Sequence, residues 1–480
     1  MVSMFRWLGF ALFLTLAVAG GTYVAAGRTA PAVLSIDQPT GAIGQSSPLQ
    51  VTAQAPEAAL ASLDGSITQN GRTYPLFALT DSAARAVSGA EAARIDADHL
   101  RVTRTVGKAS VPDLQAGPAT ITVTATRRSF LQLREIRSSA TRDVQVSLEP
   151  PRLAVVSTTH YVNHGGSEMV IYRATPADTV SGVRVGDVEY RGYPAAGAGI
   201  PNADPALRVA FFGLLVGQPL QTPVVVFARD AAGNEATAPF VDRVFEKAFR
   251  KSRIPVDDRF FNRVVPAIFE HSPGVTISTG SYRADNPNDP LAGFLKVNGD
   301  VRQMNARTIV EVTSASAPQK LWTEPFVQLG NSQVEAAFAD ARTYVYNGKD
   351  VDQQTHLGFD LAVTSHVPVL SANAGRVLFA EWLGIYGNCV IVDHGLGVAS
   401  LYGHLSSIGV KVGDAVTRSQ ELGRSGTTGL AAGDHLHFTM LVGGQAVNPV
   451  EWWDPHWIQD RVLRKLVEAG APAASGSQAR

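Results

Sequence analysis

The sequence predicts a mainly β protein: two β-sandwich modules, a short helical linker and a C-terminal β-sheet domain. Three observations carry this. From Ala30 to about Val241, short alternating or apolar runs recur at strand length between turn residues. Residues 246–333 change texture and space apolar side chains helically. Beyond residue 335 a glycine-rich stretch alternates again and gathers most of the chain's histidines. The length of 480 residues divides into roughly three domains of usual size. Forty-four glycines and 27 prolines favour turns and strands over long helices.

Residues 1–29 form an address segment. Arg6 is followed by WLGFALFLTLAVAGGTYVAAG, uncharged up to Arg28 and long enough to span a bilayer as a helix. We read residues 7–27 as a retained anchor. The small residues at Ala17–Ala19 and Val24–Ala26 also suit cleavage of a signal peptide, after which the remainder would be secreted. Either way the rest of the chain is expected to be exported.

Residues 30–149 and 150–245 are the two sandwich modules, with Pro150-Pro151 as a stiff joint. LQVTAQA (49–55) and ATITVTATR (119–127) read as strands of the first module and TPVVVFARD (222–230) as a strand of the second. Turns are expected at Asp64-Gly65, Asn70-Gly71 and 163–166. ARDAAGNEATAPF (228–240) resembles the last hairpin of bacterial immunoglobulin-like domains. Arg127, Arg128, Arg134, Arg137 and Arg142 read as a solvated strand face.

Residues 246–333 are the helical linker. Asp257 and Asp258 suit a helix start, Phe260, Phe261, Val264 and Val265 recur at helical spacing, and Pro266 is expected to end the helix. A second helix is expected over 291–308. The region reads as a spacer, with a lid over the active site as the alternative.

Composition narrows the chemistry. Lys plus Arg number 41 against 42 Asp plus Glu, so no nucleic-acid partner is expected. The one cysteine, Cys389, rules out an internal disulfide framework and a Cys-rich zinc site, and reads as a small buried hydrophobe. A metal site must therefore use histidine and carboxylate. Three fragments supply them: THLGFD (His356, Asp360), LYGHL (His404) and GDHLHF (His435, His437). Each is common by chance among 11 histidines. Their co-occurrence within about a hundred residues is the signal. Residues i and i+2 share a strand face, as do i and i+4, so His435 pairs with His437 and His356 can align with Asp360. A catalytic zinc needs three protein ligands and an open position. Five candidates leave two imidazoles for proton handling, which points to hydrolysis.

With these residues in place, residues from about Ala336 to Trp453 resemble the lysostaphin/LytM family of zinc metallopeptidases, the duplicated hybrid motif fold. The shared landmarks are FADARTYVYNGK, HLGFDLA, IYGNCVIVDHGLGVASLYGHLS, GVKVGDAV, the GxxGxxxGxHLHF run and VNPVEW. The resemblance implies a zinc peptidase domain at 334–457, expected to fold alone, followed by a helix and disordered tail at 458–480. It makes His356, Asp360 and His437 ligands of one zinc ion, and His404 and His435 catalytic. Arg342 and Tyr344 are expected to help line the groove. By resemblance the substrate and partner is peptidoglycan, cut at peptide cross-links, in a cell-envelope protein of the periplasm held to the inner membrane. The alternatives are a non-catalytic wall-binding scaffold or activator of another hydrolase, and a D,D-carboxypeptidase with the same zinc site. His366, His394 and His456 match no ligand position and read as ordinary histidines.

Overall fold

The computed structural model describes residues 2–26, 30–55, 60–80, 90–128, 135–272 and 289–472. Arg134 and residues 473–480 of the expected tail lie outside them. Val2–Ala26 is one helix. Among the described residues no helix is long and apolar enough to cross a membrane.

Contacts divide the chain into two compact units, residues 1–151 with 229–236 and residues 152–228 with 237–480. In the first, a four-stranded sheet (Val33–Gln38, Ser47–Gln54, His99–Val106, Ala90–Arg94) and a five-stranded sheet (Ala42–Ile43, Glu135–Val146, Gly117–Arg128, Leu60–Gln69, Arg72–Thr80) share one core. Alternation sets which residues enter it: along Gly117–Arg128, Ala119, Ile121, Val123 and Ala125 are buried. The turn expected at Asp64-Gly65 is instead mid-strand. A Cβ on Gly65 would lie 2.3 Å from the Phe77 ring, so the glycine makes room for a packed aromatic and marks a bulge before Ser66. Asn70-Gly71 does turn, both in the left-handed region. Arg127 departs from the expected solvated face: it is buried, and Nη1 donates to the Ala30 carbonyl.

The second unit starts with another pair of sheets. One holds Arg152–Val155, Ser167–Thr175, Leu207–Gly213 and Tyr193–Pro194, the other Val188–Arg191, Val180–Val185, Val224–Arg229 and Glu235–Pro239. In the Asp230–Asn234 turn, which belongs to the first unit, Asp230 Oδ1 accepts from the backbone N–H of Ala232 and Asn234.

The linker differs from expectation in three ways. Lys251–Val256 is a strand, pairing in parallel with Asp340–Tyr346, which in turn pairs with Lys349–His356. The first helix, Asp258–Glu270, is capped by Asp257 and runs through Pro266. The missing N–H of Pro266 is outweighed because Phe261, Val264 and Ile268 form one buried stripe across it. The second stretch is helical over Pro290–Lys296 and Arg302–Thr313, joined by a π-type turn at Val297–Val301.

The C-terminal domain has a large sheet in the order Gln333–Ala336, Phe359–Ala362, His435–Val442, Val398–Leu405, Asn388–Gly395, Gly375–Trp382, Ala415–Val416, with Gln445–Val447 also paired to His435–Val442, and a small sheet of Pro368–Leu370, Glu421–Arg424 and Ser407–Ile408. The boundary expected at 333/334 is not a gap in packing. One core runs from Met169 and Phe211 of the sandwich through Trp322 and Phe326 to Leu436, Trp452 and Leu466. Trp452 stands 5.6 Å from Phe211 and 5.4 Å from Phe326 between ring centroids. A fragment cut at 334–457 would expose its share of this core. The C-terminal helix is likewise anchored, since buried Lys465 donates to Glu168 Oε1 and to the Met169 carbonyl, both at 2.9 Å.

Candidate metal centre

Strand register brings the first two groups together. Phe359–Ala362 lies antiparallel to His435–Val442, with Asp360 opposite His437 and Ala362 opposite His435. His356 arrives differently from the single-strand alignment expected: it ends a strand of the neighbouring three-stranded sheet, and the chain changes sheet at Leu357-Gly358. Gly358 is required there, because a Cβ would stand 2.5 Å from His437 Nε2. His404 sits in a bulge opposite Cys389 with φ +64°, a strained backbone that re-aims its ring.

Five side chains meet as a result. His356 Nε2 lies 2.9 Å from Asp360 Oδ1 and 3.1 Å from His437 Nδ1, and His437 Nδ1 lies 3.0 Å from Asp360 Oδ1. His435 Nε2 is 3.4 Å from the same oxygen. The His404 and His435 rings are 4.7 Å apart.

The outer hydrogen bonds fix the tautomers. His356 Nδ1–H donates to the Ala337 carbonyl at 3.1 Å, which leaves Nε2 as a lone pair. Thr439 Oγ1 donates to the Leu357 carbonyl and so accepts from His437 Nε2–H, which leaves His437 Nδ1 as a lone pair. Two imidazole lone pairs and a carboxylate oxygen thus face one another within 4.8 Å. Acceptors packed this closely without a donor between them repel unless a cation or proton joins them. The donor set fits zinc, whose bonds to nitrogen and oxygen are about 2.0–2.2 Å. His404 and His435 follow the other pattern: each donates Nδ1–H to a backbone carbonyl, of Thr428 and Gly433 respectively, at 2.8 Å, which leaves Nε2 as the inward edge, and that of His435 faces Asp360.

Charge follows the geometry. Burial opposes ionisation of Asp360, but the facing histidines, His356 first, hold its carboxyl well below the usual range. Burial pushes His404 well down and His437 to about 4. Burial also works against His435, yet the Asp360 hydrogen bond raises it. Arg342 Nη2 donates to Asp360 Oδ2 at 2.7 Å, so this expected groove residue acts through the carboxylate. Tyr344 is buried with its ring 5.3 Å from Phe294, and it borders the cavity.

The cavity over the cluster has a volume of about 740 Å³. Sequence reasoning missed part of its wall. Tyr386, 5.3 Å from His437 between ring centroids, and Arg302 both line it, and neither carries a local signal. His394, by contrast, is a core histidine with both ring nitrogens bonded, to the Ala374 carbonyl and Ser400 Oγ at 2.7 Å. His366 and His456 are exposed. Cys389 is fully buried, and burial pushes its thiol up.

Residues 354–449, which hold all five clustered side chains, match the model of Peptidase family M23. The chain carries an M23 peptidase domain. It is 39% identical over 95 residues to the DD-carboxypeptidase/endopeptidase Mpg of Neisseria meningitidis, 20% of this chain and 22% of that protein. It is 38% identical over 96 residues to the peptidoglycan DD-endopeptidase ShyA of Vibrio cholerae, again 20% and 22%. It is also 38% identical over 95 residues to the murein hydrolase activator EnvC of Escherichia coli, 20% and 23%. The match thus spans less than a quarter of each relative's length.

Proposed function

We propose that this protein is a zinc-dependent metalloendopeptidase that hydrolyses peptide cross-links of peptidoglycan in cell-wall remodelling. The observation that carries the reading is the convergence of His356 Nε2, Asp360 Oδ1 and His437 Nδ1 beside the inward Nε2 edges of two further histidines. His356, Asp360 and His437 would hold one zinc ion, which when bound supplies Lewis acidity and an acidified water. The chain's other groups set up the rest. Thr439 and the Ala337 carbonyl hold two imidazoles in the ligating tautomer, and Arg342 keeps the Asp360 carboxylate turned toward them. His404 and His435, each anchored through Nδ1, are oriented to take a proton from the attacking water and to donate to the oxyanion at the scissile carbonyl.

The named activity of the Mpg and ShyA relatives supports a peptide bond of peptidoglycan as substrate, while the EnvC relative marks activation of another hydrolase as the second reading. The complete five-residue set favours catalysis. Digestion of purified peptidoglycan by the full chain, with mass analysis of the released muropeptides, decides. Loss of cross-linked dimers with a matching gain of monomers is expected. Loss of terminal alanine alone would make it a carboxypeptidase, and an unchanged profile would leave the activator or scaffold. We place the protein in the periplasm, held to the inner membrane by residues 7–27; a mature chain beginning after Ala19 or Ala26 would replace the anchor with secretion.

A further inference from the structure

One wall of the cavity over the metal-type cluster lies outside the M23 domain. It comes from the strand Lys251–Val256 and the helical stretch that ends at Thr313. From this wall Arg302 borders the same space as His356, His404 and His437. Its guanidinium is held in place. Nη2 donates to Asn298 Oδ1 at 2.6 Å and Nε to the Asn298 carbonyl at 3.3 Å, while fully buried Asn298 donates from Nδ2 to Asp352 Oδ2 at 2.6 Å. Of the other arginines of the cavity, Arg342 has Asp360 and Arg253 has Asp350 as carboxylate partners, while Arg250 donates to the Glu335 carbonyl. Among the described residues no ion pair involves Arg302. The wall is also docked firmly on the M23 domain. Buried Asn305 accepts the Ile385 N–H at 3.0 Å, which fixes the turn that sets Tyr386 against His437.

A half-buried guanidinium that is immobilised at a cavity and has no carboxylate partner is pre-organised to receive an anion. Its planar fork fits a carboxylate in two parallel hydrogen bonds. We propose that Arg302 is a specificity-determining residue that binds a carboxylate of the peptide substrate, delivered to the M23 cleft by the upstream helical segment. The identity of the peptide rests on the peptidase reading; the anion site does not. The segment is then a working wall of the cleft, neither a spacer nor a removable lid.

The test uses the full chain, cross-linked muropeptides from purified peptidoglycan, and the same muropeptides with their free carboxylates converted to carboxamides. Arg302→Met should raise KM about ten- to a hundredfold while kcat stays within about twofold, and should erase a preference for the free acid that the wild type shows. Arg302→Lys keeps the charge but not the fork and should lose less. Should Arg302→Met fail to fold, Arg302→Lys carries the comparison by its weakened preference. Binding of the uncleaved peptides by calorimetry, in a His435→Ala background, gives a readout independent of turnover. If the wild type cuts and the Arg302 variants keep its KM and its preference, the proposal is overturned and the peptidase reading stands. If the wild type cuts nothing but binds the free acid at least tenfold more tightly than Arg302→Met does, the proposal stands and the peptidase reading falls. If it neither cuts nor binds, both fall.

Discussion

Two clusters of buried polar side chains in the same unit follow opposite rules. At the junction of the sandwich with the C-terminal helices, acceptors meet donors. Glu451 accepts from Asn163 Nδ2 and the Ser167 N–H, both at 2.7 Å, and from Ser167 Oγ, while Glu168 accepts from Lys465 Nζ. At the metal-type centre the outer edges of the rings are equally well bonded, yet the inner atoms are acceptors facing acceptors. The first arrangement is complete without a ligand and holds two segments together. The second is complete only with a cation or a proton between its acceptors. Burial and polarity are common to both, so the direction of the hydrogen bonds is what distinguishes a site from a joint.

The contrast breaks first at the centre. His437→Ala should remove a ligand, so zinc content by elemental analysis should fall sharply and turnover with it. His435→Ala should keep its zinc and lose about two to four orders of magnitude in rate. Zinc lost from His435→Ala and kept in His437→Ala would reverse the assignment.

The joint should respond in stability instead. Burial pushes the Glu168 carboxyl up and the Lys465 ammonium down, so desolvation weighs heavily on this pair. Lys465→Met alone leaves the buried carboxylate with Arg461, 3.6 Å away, as its remaining cation and should cost about 3 kcal/mol in denaturant unfolding. Pairing it with Glu168→Leu should recover most of that loss. A double variant as unstable as the single one would mean that the ion pair itself, and not its desolvation, dominates.

The smallest expected effect is a pH slope. Burial raises Glu451 from 4.5 to about 7, against the hydrogen bonds from Asn163 and Ser167. The folded state therefore holds its proton where the unfolded chain has released it. That contribution is full below about pH 4.5 and is lost as pH rises to about 7, by roughly 3 kcal/mol in all. Glu451→Gln, whose amide can be accommodated by a flip of Asn163, should flatten this limb of the stability profile. An unchanged slope would assign the limb to other groups.

Local chemistry wrote much of this into the sequence. Alternation along Gly117–Arg128, the Asn70-Gly71 turn, the Asp257 cap and the i, i+2 pairing of His435 with His437 depend on neighbours a few residues apart, so they can be read directly. The five-residue centre could be named because its fragments are short and ordered. Tertiary packing decided the rest. Gly65 is a strand residue because Phe77 needs its space, and Pro266 stays inside a helix because Ile268 is buried beyond it. His356 reaches Asp360 by a change of sheet, the sandwich and the M23 domain share Trp452, and Arg302 joins the cleft through Asn298 and Asn305. Each of these rests on atoms far apart along the chain, and a one-dimensional pattern holds no term for a contact whose partner is set only by folding.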